Sequence, residues 1–205
     1  MYRNIFKRLI DVVLSFIGII VVSPIYLLTA ILIKLDSKGP VLFKQKRFKN
    51  ASEFFYILKF RTMRTDTPHN MPTHLLENPD IYITKVGSFL RKTSLDELPQ
   101  LFNILKGDMS IIGPRPALYN QTDLIEEREK YGANSITPGL TGWAQINGRD
   151  ELPIDIKARY DGEYAEKLSF SFDCKCFFGT IIKVLKHDGI VEGKNESKES
   201  TKIIL

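Results

Sequence analysis

Twenty-two consecutive residues without a charge, from Val12 to Ile33, set the first constraint on this chain. As one straight helix they would be ~33 Å long, enough to cross the hydrocarbon core of a bilayer. The run is too long for a secretory signal, and no small-residue cleavage site follows it. An ordinary single-pass anchor would account for the length alone. Pro24, near the middle of the run, has no N–H to donate and must kink or break the helix. Ser23 before it can bond a freed backbone carbonyl, which makes such a break tolerable in lipid. Both flanks are basic, with Arg3, Lys7 and Arg8 on one side and Lys34 and Lys38 on the other. Basic flanks favour the cytoplasmic face, so both ends are expected there. A helix-break-helix that dips in and returns meets both observations. On these residues alone it stands beside the bitopic span as an open alternative, and membrane attachment follows from either.

The chain has 205 residues, room for one domain with an appendage, and nothing in it repeats at a fixed period. Its net charge of +5 is unevenly spread. Between Lys44 and Arg64 stand Lys44, Lys46, Arg47, Lys49, Lys59, Arg61 and Arg64 against the single acid Glu53. Such an excess suits anionic lipid, nucleotide phosphates or nucleic acid, and equally a solvated basic face. Cys174 and Cys176 form a lone C-x-C, and His69, His74 and His187 lie far from it in sequence, too few ligands for a metal site. Both cysteines read as small apolar residues in a reducing compartment.

After the Gly39-Pro40 turn, VLFKQKRF and EFFYILKFRTM predict two strands joined by a KNAS hairpin turn. Thr65 to Pro79, rich in proline and poor in large apolar residues, predicts a long loop holding His69 and His74 in solvent. Helices are expected over Thr84–Thr93, over Leu98–Leu105 with Gly107 as its stop, over Asp123–Tyr131 and over Ile154–Glu166. Thr137-Pro138-Gly139 and Thr141-Gly142 predict a tight polar turn region. A last helix is expected from about Phe170 to Lys186, stopped by Gly189. Its many phenylalanines beside Lys175, Lys183 and Lys186 suit an interfacial helix, with a plain core helix as the competing view. The polar stretch after Val191 reads as a disordered tail.

The chemistry gathers in two short motifs. Ser94-Leu95-Asp96-Glu97-Leu98-Pro99-Gln100 places adjacent carboxylates at the mouth of an apolar helix. Ser94-x-x-Glu97 also matches a capping box, a purely structural use of the same residues. In that register Pro99 would forfeit a backbone bond inside the helix, whereas a start nearer Asp96 to Leu98 removes the conflict. The carboxylates would then sit at the positive end of the helix dipole, which keeps them ionised and draws phosphate to the same place. Two neighbouring anions favour a divalent cation or a shared proton, and Mg²⁺ suits one or two carboxylates completed by substrate phosphate oxygens. Gly113-Pro114-Arg115-Pro116 fixes a planar guanidinium between two rigid residues, a phosphate clamp or simply a rigid turn. Lys59 and Arg61 alternate with apolar residues on a strand and predict a cationic face, and Arg91 adds a cation about one helical turn before Asp96.

With these motifs the chain resembles the bacterial sugar transferases, the small monotopic phosphoglycosyl transferases that initiate glycoconjugate assembly. The likeness runs from about Arg3 to Gly189. It is carried by FKRLIDVVLS, SPIYLLTA, GPVLFKQKR, LKFRTM, TSLDELPQLFNILKGDMSIIGPRP, TPGLTGWAQINGR and DGEYAEKLSFSFD.

The resemblance implies transfer of a phosphosugar from a UDP-sugar to undecaprenyl phosphate, giving undecaprenyl diphosphate-sugar and UMP. Asp96 takes the family's nucleophile position and would form a covalent aspartyl-phosphosugar. Glu97 would assist by orienting the acceptor phosphate or handling a proton. Mg²⁺, with Asp96 as a contact, would neutralise the diphosphate. Lys59, Arg91 and Arg115 match cations near the phosphates, and Gln145 and Arg149 match a segment near nucleotide and acceptor. Ser23-Pro24 matches the family's break, which favours the re-entrant form.

The implied fold is α+β and mostly helical. A re-entrant membrane helix over 1–38 would precede a cytoplasmic catalytic domain over 39–189, with a short β-hairpin and interfacial helices, and then the tail over 190–205. The implied location is the cytoplasmic face of a bacterial inner membrane, with membrane lipid as a partner, no nucleic acid, and a homo-oligomer left open. The family's short form, without a preceding multi-helix membrane segment, is the form expected. The likeness leans to capsular-polysaccharide initiators, and an N-acetylated deoxyhexosamine is the sugar expected. Two other readings of the same residues are direct attack by the lipid phosphate in a ternary complex and a membrane-bound adaptor without catalysis.

Overall fold

The uncharged run forms one helix. In the computed structural model, which describes residues 1–50, 53–67, 79–148 and 152–186, helix α1 (Lys7–Asp36) passes through Ser23 and Pro24 without interruption. The expected break is therefore not a gap between two helices. Pro24 cannot donate to the Ile20 carbonyl one turn back. The Ser23 hydroxyl takes that carbonyl instead, at 2.8 Å, so the defect is repaired locally and the helix continues.

One stripe of α1 faces the rest of the protein along its whole length. Lys7, Asp11, Ser15, Thr29 and Ile33 are buried on it, with Gly18, Val22 and Tyr26 half-buried between them. These steps of three and four residues are what a single helical face requires. Near the start of the helix, Lys7 pairs with Asp173, Arg8 donates to the carbonyls of Ile104 and Leu105, and Asp11 accepts the Ile111 N–H at 2.9 Å. Tyr26 donates to the Leu98 carbonyl at 2.8 Å. Near the end, Ile33 packs with Phe60 and Leu90, and Asp36 accepts the Val86 N–H at 3.0 Å. The outward face carries Leu14, Phe16, Ile20, Val21, Leu27 and Leu28, all exposed. Polar groups inside and apolar groups outside invert the pattern of a water-soluble helix.

The segments Lys85–Lys92, Gln100–Lys106 and Ser110–Ile112 pack against that stripe, and other elements build outward from them. Strands β1 (Leu42–Phe48) and β2 (Phe54–Phe60) form the expected antiparallel hairpin, with Lys46 opposite Tyr56 and Phe43 opposite Lys59. Helix α2 (Lys85–Lys92) is capped by the Thr84 hydroxyl, which accepts the Gly87 N–H. Helix α3 (Gln100–Lys106) ends at Gly107, whose φ of 96° suits glycine. Strand β3 (Ser110–Ile112) is followed by α4 (Thr122–Glu129), β4 (Gly139–Thr141), α5 (Trp143–Ile146), α6 (Ile154–Lys167) and α7 (Phe170–Lys186).

The expected turn region around Gly139 is in fact β4, paired in parallel with β3. Three residues containing a glycine carry too little alternation to announce a strand. Arg61 also differs from expectation. It lies beyond β2, buried, and donates to the carbonyls of Ser37, Lys38 and Pro40, so it fastens the exit of α1 and does not join a cationic face.

Helix α7 buries Asp173 and Cys176 but exposes Phe170, Phe177, Phe178, Ile181 and Ile182, which is not the profile of a plain core helix. Cys176 packs with Ile112, Ile136 and Tyr164, and burial pushes its thiol up to about 12. Residues 68–78 of the long loop, with His69 and His74, lie outside the described residues. So do Arg149, His187, Gly189 and the tail.

Candidate functional site

The dyad does not open α3. Asp96 and Glu97 lie in a 3-10 turn (Leu95–Glu97), and α3 starts three residues later behind Pro99. Ser94 makes no side-chain cap, so the capping box is not formed. Its backbone is left-handed instead, with φ 55°, the one non-glycine residue of positive φ among those described. Holding a non-glycine residue there costs of order 1–3 kcal/mol. The reversal swings the chain out of α2 and delivers both carboxylates to one place.

Three cations converge on them. Lys59 Nζ lies 2.7 Å from Glu97 Oε1 and 3.8 Å from Asp96 Oδ2. Arg115 Nη2 lies 2.7 Å from the same Glu97 Oε1, with Nη1 3.5 Å from Oε2. Arg91, half-buried on the last turn of α2, is near enough for its charge to act on Asp96. The side chains of Asp96, Glu97 and Lys59 are only 12%, 14% and 17% exposed. Burial raises the Asp96 carboxyl above its usual value against the opposing Lys59 charge, and the adjacent Glu97 anion pushes the same way. At Glu97 burial acts alike, but Arg115 and Lys59 outweigh it and hold that carboxyl well below the usual carboxylate range. The helix dipole therefore does not set the two charges. Burial and pairing drive the neighbours apart, one basic and the other firmly anionic.

The arginine loop is fixed from two sides. The Gly139 N–H donates to the Pro114 carbonyl and the Gly113 N–H to the Thr141 carbonyl, both at 2.8 Å. Arg47, on β1, donates to the Pro116 carbonyl at 2.9 Å, and the Phe48 N–H to that of Ala117 at 3.0 Å. The approach is so close that a Cβ on Gly113 would lie 2.5 Å from the Thr137 carbonyl oxygen, and one on Gly139 or Gly142 would fall on the Gly113 backbone. That mutual crowding is why the Gly113-Pro114-Arg115-Pro116 and Thr137-to-Gly142 motifs belong together. The glycines were visible in the sequence, but their partnership was not.

Gln145, on α5 beside Gly142, is buried, and neither its Oε1 nor its Nε2 has a hydrogen-bond partner among the described residues. Gln100, the first residue of α3, is buried with both amide atoms in the same condition. Nothing in the sequence gives it a role within the heptapeptide, because only burial distinguishes it. Among the described residues no group of three or more His, Cys, Asp or Glu side chains could hold a metal ion. Glu97 is committed to two cations, which leaves Asp96 as a single carboxylate donor. One donor does not make a resident site, but it fits a Mg²⁺ that arrives on a diphosphate and keeps several other oxygens.

A family model described as bacterial sugar transferase matches residues 2–187. The UDP-glucose:undecaprenyl-phosphate glucose-1-phosphate transferase of Xanthomonas campestris pv. campestris is 39% identical over 191 residues, which cover 90% of this chain and 40% of that protein. The exopolysaccharide production protein ExoY of Sinorhizobium fredii is 35% identical over 192 residues, 87% of this chain and 84% of that one. The UDP-N-acetylgalactosamine-undecaprenyl-phosphate N-acetylgalactosaminephosphotransferase of Aeromonas hydrophila is 38% identical over 184 residues, 87% of this chain and 43% of that one. The chain thus spans less than half the length of the first and third of these relatives.

Proposed function

The chain belongs to the bacterial sugar transferase family, and from that premise we propose that it moves a sugar phosphate from a UDP-sugar to undecaprenyl phosphate. The observation that carries the reading is the buried dyad, with Asp96 made basic by burial beside a Glu97 anion that holds Lys59 and Arg115 ready. A desolvated carboxylate with a raised proton affinity is a good nucleophile. Diphosphate oxygens can replace Glu97 as partners of the cations, which keep their geometry throughout.

In the first step an Asp96 oxygen attacks the sugar-bearing phosphorus, the bond to the bridging oxygen breaks, and UMP leaves with that oxygen. In the second the acceptor's phosphate oxygen attacks the same phosphorus, and the bond to Asp96 breaks. Each displacement returns its electron pair to an oxygen, so nothing is oxidised or reduced. Mg²⁺ on the diphosphate would supply charge neutralisation, with Asp96 as its protein contact. Gln145, buried and without a hydrogen-bond partner for its amide among the described residues, would meet a polar group of donor or acceptor. An adaptor without catalysis would gain nothing from burying a carboxylate dyad among three cations.

The test is exchange of labelled UMP into UDP-sugar without lipid acceptor, run across UDP-glucose and several UDP-N-acetyl sugars. A covalent intermediate permits exchange, and direct attack by the lipid phosphate does not. Absence of exchange with every donor that supports full turnover would rule the aspartyl route out.

The acid side of the pH profile gives a second test. Asp96 attacks as the carboxylate, so the rate falls as pH drops through its pKa, and a raised pKa moves that fall above the ordinary aspartate range near pH 3.9. Lys59→Met removes a charge that opposes the shift, so the acid limb should move further up. A limb that stays put or moves down in that variant contradicts the assignment.

The membrane placement we propose keeps both ends of α1 on the cytoplasmic face of the inner membrane with its apolar outward face in lipid, the re-entrant topology without a gap in the helix. Support comes from the clasping of both ends of α1 to the same body, through Asp173 at one end and through Val86 and Arg61 at the other. A helix crossing the bilayer would carry one end away. Single cysteines at positions 4 and 38 should be labelled from the same side, and labelling from opposite sides overturns the topology.

A further inference from the structure

The edge of β2 turned away from β1 presents backbone groups that need partners. Two of them, the Tyr56 carbonyl and the Leu58 N–H, are taken by one side chain. Asn103, on α3 and 3% exposed, donates from Nδ2 to the Tyr56 carbonyl at 2.8 Å and accepts the Leu58 N–H on Oδ1 at 2.9 Å. One donor and one acceptor astride Ile57 reproduce what a residue of a parallel neighbouring strand would offer. A helix side chain is standing in for a strand.

The consequence lies on either side of that contact. Next to Leu58 comes Lys59, the cation shared by both carboxylates. Upstream of α3, through Pro99 and Leu98, comes the dyad itself. Elsewhere α3 and the turn before it are bonded to α1, through Arg8 at the carbonyls of Ile104 and Leu105 and Tyr26 at the Leu98 carbonyl. Those bonds tie the dyad to α1 and do not fix the strand. A two-pronged amide does, because one bond would leave a hinge and two set both slide and rotation.

We propose that Asn103 is a positioning residue that holds Lys59 in register with Asp96 and Glu97. Its kinetic consequence rests on the reading of the dyad as the reacting groups, but its structural consequence does not. The experiment therefore measures both on the full chain in detergent, in Asn103→Ala and Asn103→Asp.

Deuterium uptake should rise in peptides covering residues 54–60 and stay at wild-type levels in those covering α6 and α7. At matched folded fraction, kcat should fall about 100-fold, the scale of an ångström-sized misplacement, with KM for the donor within about threefold. Asn103→Asp adds a reading that packing alone would not produce. Protonated, its acid can again donate to Tyr56 and accept from Leu58, so the ratio of its kcat to wild type should climb as pH is lowered toward 5. Ionised, it turns a second acceptor on the Tyr56 carbonyl and the ratio drops.

Unchanged uptake in residues 54–60 overturns the proposal. So does a kcat within about threefold of wild type in a folded variant, or a uniform rise in uptake with kcat tracking folded fraction. Where Asn103→Ala does not fold, the isosteric Asn103→Asp carries the same readings. Were the dyad misassigned, uptake over residues 54–60 would still rise in both variants, while UMP exchange would already have failed in the unsubstituted protein.

Discussion

Asp96→Asn should reduce UMP release by roughly a millionfold, to background, which is the scale of loss when a covalent nucleophile is removed. The substitution is close to isosteric. It leaves Lys59 and Arg115 on Glu97, since both lie at 2.7 Å from Oε1 and neither depends on Asp96 for that position. What disappears is the anion that attacks. Three readings should therefore fail together: UMP release, UMP exchange without acceptor, and the phosphosugar adduct on the protein by mass spectrometry. Donor binding should survive, because the cations that would meet the diphosphate remain. A variant that releases UMP near the wild-type rate would place the nucleophile elsewhere. The neighbouring carboxylate is a poor substitute, since pairing with Arg115 and Lys59 holds it well below the usual range and weakens it as a nucleophile.

Much of this arrangement was legible in the sequence because it is local. The hairpin follows from β-branched and aromatic alternation, and α7 begins at Phe170, where its apolar pattern begins. The bond from Ser23 to the carbonyl that Pro24 leaves free follows from that dipeptide alone, although a break was expected there and the helix continues. The dyad, Lys59 and Arg115 were singled out by residue type and spacing, and they meet.

What the sequence did not disclose depends on contacts between distant segments. No periodicity signals that Arg61 will fasten the exit of α1 or that Gly139 will lie on Gly113. The bidentate hold of Asn103 on β2 spans 45 and 47 residues, and Asn103 itself reads as an unremarked polar position in a short apolar helix. The left-handed Ser94 is hidden behind a good capping-box match, because the pattern of side chains is the same whether or not the backbone turns into a helix there. Fold elements announce themselves by repetition, whereas the links that aim a site are single residues.

Lys7→Met should destabilise the protein by about 3–5 kcal/mol, as expected when one partner of a buried ion pair is removed. Lys7 and Asp173 are each 7% exposed, and Nζ lies 2.7 Å from Oδ2. Asp173 also accepts the Tyr2 hydroxyl on Oδ2 and the Tyr164 hydroxyl on Oδ1, both at 2.6 Å. Those phenols soften the loss, which places the effect toward the lower end of that range. They cannot neutralise the charge. Adding Asp173→Asn to Lys7→Met removes the stranded anion while keeping an oxygen for one phenol, so the double variant should be more stable than Lys7→Met alone. Thermal midpoints and trypsin resistance in detergent would measure the cycle, and a double variant no better than the single one would show that the pair contributes little. The same geometry bears on topology. Lys7 counts toward the basic flank that favours a cytoplasmic N-terminus, yet in the folded protein its charge is neutralised by α7, and Arg8 is bonded to the carbonyls at the end of α3. Arg3 in turn donates to the Ser135 carbonyl and hydroxyl, so all three flanking cations act on the protein itself. They pin the start of an apolar helix to the body that carries the dyad, and in doing so they set how far the carboxylates stand from the apolar face.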